Sequence, residues 1–227
     1  MQPYFFPYIG YFQLIAAADV FVLYDNIEYT KKGWINRNRM LLNGKDAMFS
    51  LPLKKDSDTL HVRERMLAGD FKAAKLLAQF AGAYRKAPYF AHTMALIESI
   101  LQYVPHNLFD FLHHSLRQTC AHLGIGTPIQ VSSGIAIDHG LKSQDKVLAI
   151  CQALAADTYV NAIGGQALYS TETFRQAGID LRFIQSQPFS YPQFGLPFVP
   201  WLSIIDVLMF NPAASVRQAI EDKYALL

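Results

Sequence analysis

Two cysteines, Cys120 and Cys151, are all that this chain of 227 residues contains. Each sits in an apolar, helix-like stretch and neither has a CxxC partner. That excludes a disulfide framework and a thiolate metal site, and leaves two buried thiols suited to a reducing compartment. Charge is also in short supply. Only 17% of the residues are charged and the net charge is +2, which argues against a dedicated electrostatic binder of nucleic acid. Lys31, Lys32, Arg37 and Arg39 do cluster locally, either as an anion site or as solvated surface charge. No apolar run reaches membrane-spanning length, and the amino end lacks a charged segment followed by a signal-type core. The expectation is a cytoplasmic protein with no membrane insertion. The seven histidines form no HxxxH or HxxEH pattern, and the adjacent pair His113-His114 faces different directions on a helix, so no metal site is expected. A GxSxG elbow, a Walker loop and a complete GxGxxG are missing too, and no nucleophile declares itself.

What is present is a large apolar fraction, 52%, enough to bury a substantial core as one domain spanning 1–227 with a helical insert. Residues 9–18 read as a helix, and the continuously apolar 20–24 as a strand buried on both faces. Asn43-Gly44 between 38–42 and 47–53 is a hairpin signal. A short strand is expected near 60–66. Three helices follow at 71–85, 92–103 and 107–123, separated by Ala87-Pro88 and Pro105-His106, with Asn107 as N-cap and Gly124 as stop. This helical subdomain, about 71–124, precedes a carboxyl-terminal α/β portion at 125–227. There, a strand at 129–132, a helix at 143–155 capped by Ser143, a strand at 158–161, a helix near 171–177 and a strand at 181–184 make a βαβ-type succession. Residues 201–225 read as one helix. The resulting fold class is α/β, with a mostly parallel sheet, flanking helices and an inserted helical segment.

The opening run from Met1 to Ile15 sets Gln2, Tyr4, Tyr8 and Tyr11 among two prolines and a glycine, a rigid aromatic loop of the kind that positions a ligand at little entropic cost. Tyr8-Ile9-Gly10-Tyr11, opening a helix, is similar in layout to the HxGH loop of nucleotidylyltransferases and pantothenate synthetase-like ligases, with tyrosine at both histidine positions. That likeness implies a Rossmann-like or HUP-like core, with Gly10 admitting a nucleotide to the backbone. The alternative is a packing loop over the sheet. Asp25, at the end of its strand, either binds a hydroxyl, an amine or Mg2+ or acts as base, or else caps the next turn. Arg37 and Arg39 share one face of a strand and suit a diphosphate or carboxylate, or form an exposed charge pair; Asn36 and Asn38 face the other way. Gly164-Gly165 is a backbone cradle or a tight turn. Tyr169 and Tyr191 stack on a ligand or pack, and Gln193 is a possible donor to the same ligand. Ser203 and Asp206 read as an N-cap and its capping-box partner.

Met1-Gln2-Pro3 with Pro7-Tyr8-Ile9-Gly10-Tyr11-Phe12, Asp19-Val20-Phe21-Val22 with Asp25, and Trp34-Ile35-Asn36-Arg37-Asn38-Arg39 together resemble the WbqC-like family of bacterial surface-polysaccharide gene clusters. Gly164-Gly165 with Tyr169, Tyr191-Pro192-Gln193 and Leu202 to Leu208 extend the resemblance over nearly the whole chain. It implies a role in O-antigen and lipopolysaccharide biosynthesis, as a transferase of an aminoacyl (glycyl) group to a nucleotide-linked amino sugar. The alternative is a non-catalytic protein that binds a sugar nucleotide or a partner enzyme. On this reading Asp25, Tyr8 and Tyr11 are catalytic, and Gln2, Tyr4, Gly10, Asn36, Arg37, Arg39, Gly164, Gly165, Tyr169, Tyr191 and Gln193 bind substrate. The cofactor stays open. Members of the family usually carry a short apolar strand before Met-Gln-Pro, so Met1 is expected to be an internal methionine. The tyrosines, Asp25 and the two arginines are expected to converge on one cleft.

Overall fold

In the computed structural model, residues 1–57, 59–103 and 106–227 are described. Pro105, expected to separate two helices, lies outside them. Helix α1 (Ile9–Ala16) is followed by strand β1 (Phe21–Leu23) and the hairpin β2 (Arg37–Leu42) and β3 (Lys45–Ser50). Three helices come next, α2 (Ala73–Tyr84), α3 (Phe90–Gln102) and α4 (Leu108–His122). The remainder is β4 (Ile129–Val131), α5 (Ser143–Ala153), β5 (Thr158–Ala162), α6 (Thr171–Gln176), β6 (Asp180–Ser186), α7 (Ile204–Phe210), α8 (Ala213–Asp222) and β7 (Tyr224–Leu226).

The molecule is mixed α/β, but its strands form three small sheets instead of the single sheet expected. β1 pairs in parallel with β4, and β5 in parallel with β6, whose other edge takes β7 antiparallel. The β2–β3 hairpin stands apart, closed by Asn43 and Gly44 at φ 51° and 75°, the left-handed pair that a tight two-residue turn requires. The parallel character is therefore present, divided between two separate pairs.

Three local expectations need correction. Residues 60–66 form a 3-10 turn at Val62–Glu64 instead of a strand, flanked by isolated bridges at His61 and Met66. The carboxyl-terminal helix is two helices and a strand, because Asn211 is extended (φ −133°, ψ 146°) ahead of Pro212, which begins α8. Lys142, not Ser143, is the N-cap of α5, and Ser143 sits at φ 47°. Asn107 does cap α4, its side chain accepting from Phe109 and Asp110 N–H groups, and Gly124 follows the helix at φ 69°.

One core joins the amino-terminal loop to the helices: Phe5, Phe49, Phe80, Phe111 and Ile97 are all enclosed in it. A smaller cluster of Val147, Cys151, Phe174 and Leu181 lies under α5, α6 and β6. Inside the main core, Gln13 of α1 donates to the carbonyls of Ala219 and Lys223, which ties the first helix to the end of α8.

Candidate functional site

The opening loop is held on both sides. Asn38 of β2 donates to the Phe5 and Phe6 carbonyls at 3.1 and 3.0 Å, and Ser203 Oγ donates to Phe6 at 2.7 Å. Phe5 N–H reaches Trp34 O, and Ile204 N–H reaches Pro7 O. These bonds hold Phe6 at φ 42°, in the left-handed region that bulky residues avoid. The loop therefore arrives at α1 with Tyr4 and Tyr8 aimed outward and Phe5 and Phe6 in the core.

Between that loop, β2 and the carboxyl ends of β5 and β6 lies a cavity of about 410 Å³. Tyr4, Tyr8, Trp34, Arg39, Ser186 and Trp201 are among its walls, with Asn38, Ile163, Ile184 and Gln185 completing the lining. A volume of this order suits a small-molecule ligand. Both tryptophans of the chain are here, 37% and 47% exposed, although large aromatics gain most from burial. Trp201 sits at φ 58°, with its ring edge-on to Tyr8 at 6.1 Å. The Arg39 guanidinium stacks 5.6 Å from the Trp34 ring centre. It donates to Trp201 O at 3.1 Å and pairs loosely with the Asp46 carboxylate at 3.4 Å, while its Nε has no partner. Burial raises the pKa of the Tyr4 and Tyr8 hydroxyls, Tyr8 in spite of a hydrogen bond with Ser186, so both donate rather than ionise near neutrality. Gly10 stands behind Tyr8, where a Cβ would run into Ser186 Oγ and the Tyr8 ring.

A second polar group occupies the carboxyl ends of β1 and β4. Asp25 Oδ1 accepts from Ser132 Oγ at 2.9 Å and Ser133 N at 3.0 Å, and its Oδ2 lies 3.8 Å from Arg63. Burial opposes ionisation of Asp25, but the hydrogen bonds from Ser133 and Ser132 outweigh it and lower its pKa. Beside it, Asn26 accepts from Lys146 Nζ at 3.2 Å and bonds His139 at 3.0 Å. Lys146 is buried, and that desolvation lowers its pKa although the Asp25 charge works the other way.

Of the residues singled out from the sequence, Tyr4, Tyr8 and Arg39 meet in the cavity, with Gly10 behind them. Asp25 belongs to the second group and is not in the cavity's lining. Tyr11 is enclosed and donates to the backbone carbonyl of Gln2 at 2.6 Å. Asn36 bonds Tyr29 and Leu51, while Arg37 closes its own loop through the carbonyls of Gly33 and Lys32. Gly164 and Gly165 lie in a 3-10 turn after β5, and Tyr169 packs on Tyr159 and Phe174. Tyr191 and Gln193 donate to the enclosed Asp206 carboxylate at 2.7 Å each, joined by Tyr84 at 2.8 Å. Asp206 is thus a buried junction and not the capping-box partner expected, while Ser203 does cap Ile205. Trp34, Asn38, Ser186 and Trp201 escaped selection as site residues. The scarcity of tryptophan, two in the whole chain, is a signal that could have singled out Trp34 and Trp201.

The sequence model of the WbqC-like protein family matches residues 2–218. The chain is 28% identical over 217 residues to an uncharacterized protein, Rv1507c, of Mycobacterium tuberculosis (strain ATCC 25618 / H37Rv), an alignment covering 94% of this chain and 93% of that protein. No solved structure matches the chain significantly.

Proposed function

Starting from a chain that belongs to the WbqC-like protein family, we propose that the cavity between the opening loop, β2 and β6 binds a nucleotide-linked sugar. The observation that carries this reading is the lining itself: two half-exposed tryptophans, two tyrosine hydroxyls held as donors, and a guanidinium whose Nε is unpartnered. Aromatic faces stack on a base or sugar ring, a guanidinium pairs with phosphate oxygens, and Ser186, Asn38 and Gln185 offer neutral partners for hydroxyls. A Rossmann-like or HUP-like core for the parallel pairs is part of this reading, since open α/β sheets gather ligands at the carboxyl ends of strands.

The protein serves, on this proposal, as a cytoplasmic transferase in the biosynthesis of O-antigen or a related surface polysaccharide. An amine of the bound amino sugar attacks the carbonyl of an activated aminoacyl donor, the new C–N bond replaces the bond to the leaving group, and the ammonium proton passes to solvent. Arg39 and the tyrosines hold the nucleotide. Replacing Trp201 or Arg39 by Ala is expected to weaken binding of a nucleotide-linked amino sugar by about tenfold or more in titration calorimetry. Wild-type affinity in both variants removes the pocket assignment. Asp25→Asn, in the separate cluster at β1 and β4, is expected to leave binding of that ligand unchanged.

A binding-only role is favoured by one specific feature: no side chain in the lining is a ready base or nucleophile at neutral pH. Thermal stabilisation by the sugar nucleotide, with no product when an aminoacyl donor and ATP are supplied, identifies that role.

A further inference from the structure

Two successive residues beyond the end of β1 gather donor side chains from three distant parts of the chain. The Asp25 carboxylate has the Arg63 guanidinium, from the 3-10 turn, at 3.8 Å. Asn26 has Lys146 Nζ of α5 at 3.2 Å and His139 Nδ1, from the segment before α5, at 3.0 Å. Each of the three keeps hydrogen-bonding capacity to spare. Lys146 Nζ makes that one bond, so two of its three N–H groups are uncommitted among the described residues. At 3.8 Å Arg63 is too far from Asp25 for a hydrogen bond, and its guanidinium makes no other among the described residues. Asn26 Oδ1 already accepts from Ser132 and Lys146, so its amide nitrogen is what donates to His139 Nδ1. The imidazole is then neutral and carries its proton on Nε2, on an exposed side chain.

Charge points the same way. Lys146 and Arg63 share a single carboxylate, Asp25, which leaves one positive charge in excess. Lys146 is only 8% exposed and has no carboxylate within ion-pair distance among the described residues; the Tyr24 ring centre lies 5.5 Å away. A buried ammonium in that position is costly until an anion joins it. We propose that the carboxyl ends of β1 and β4 form a second ligand site, for a carboxylate-bearing small molecule, with Lys146, Arg63 and His139 Nε2 as its donors. One excess charge matches a monoanion, and the planar guanidinium fork suits the two oxygens of a carboxylate. Arg63 and His139, the exposed members, form the entry, and Lys146 is the enclosed end. Asn26 orients Lys146 and His139 together, while Ser132 and Ser133 fix Asp25. Desolvation lowers the Lys146 pKa, Asp25 opposes that and Arg63 adds to it; a bound anion restores the charged form. Ligands of parallel strands collect at this end.

The test titrates the whole chain with sodium acetate, and in parallel with sodium chloride at matched ionic strength. Binding is followed by NMR at the Asn26 side-chain amide and the Ser133 backbone amide. Saturable shifts with acetate and none with chloride are expected. Lys146→Met keeps an apolar stem of similar length, and Arg63→Gln changes an exposed position outside the core. Each is expected to weaken acetate binding by about fivefold or more. Shifts that do not saturate, shifts shared with chloride, or unchanged affinity in either variant overturn the site. Tighter binding of inorganic phosphate than of acetate overturns the assignment to a carboxylate. Because the readout is an ion titration at β1 and β4, its outcome is independent of whether the sugar-nucleotide cavity binds its ligand.

Discussion

Asp206 has no exposed surface and no cation beside it, yet three neutral donors, Tyr84, Tyr191 and Gln193, converge on its two oxygens. Burial raises its pKa, with the three hydrogen bonds opposing that rise. Its value is in what it joins: Tyr84 also accepts from Leu41 N–H, so α2, β2, α7 and the 191–193 segment meet at one carboxylate. Asp206→Ala strands three buried donors and is expected to cost about 3 kcal/mol, read as a lowered urea midpoint with unchanged slope. Gly10 makes the opposite demand, for space. Gly10→Ala is expected to displace Tyr8 and to abolish ligand binding, while the α1 helix persists by circular dichroism; unchanged affinity contradicts the close packing of Gly10 on Tyr8 and Ser186.

Among the elements, α4 shows local chemistry working as the sequence suggests. Asn107 satisfies two free N–H groups at the helix start, and Asn107→Ala is expected to cost about 1 kcal/mol, a Tm drop of a few degrees. The hairpin is equally local: Asn-Gly dictates its turn, and Gly44→Ala meets both φ 75° and the Leu196 side chain. It should lower stability by about 1–2 kcal/mol. The 60–66 segment and the 201–225 segment behave differently. Alternating apolar residues at 60–66 resemble a strand, but bonds from Val62 N to Ile27 O and Arg63 N to Asp25 O fold it into a turn against residues 25–28. The 201–225 run has helical periodicity throughout, and the Asn211-Pro212 step interrupts it because the residue before proline avoids helical dihedrals.

Across the whole molecule, the two polar groups stand at the carboxyl ends of different parallel pairs, and the expected single cleft becomes a cavity at β5–β6 and a hydrogen-bonded cluster at β1–β4. The cluster sets an acid limb of stability. The pKa of Asp25 is held below its ordinary 3.8, so its contribution is complete above about pH 4 and is lost as the pH falls through the folded-state value. The Tm difference between the wild type and Asp25→Asn is therefore expected to be full at neutral pH and to shrink below pH 3.8. A difference that stays constant to pH 2 would refute the linkage. Among the described residues, no helix is long and apolar enough to cross a membrane.

Family membership, the mixed α/β character, the hairpin turn and the cap of α4 were legible in the sequence, because each rests on residues close together in the chain whose chemistry acts locally. The opening loop was legible as well, since its prolines, glycine and tyrosines stand in one run. Partnership was decided only in three dimensions. Arg37 and Arg39 share a strand face, yet Arg37 turns back onto its own loop while Arg39 meets Trp201 from 162 positions away. Tyr191 and Gln193 face a buried carboxylate instead of a ligand, and Asp25 found Ser132 and Arg63 instead of the tyrosines. Side-chain alternation sets which way a residue points relative to its own strand; what it meets there depends on how distant segments pack.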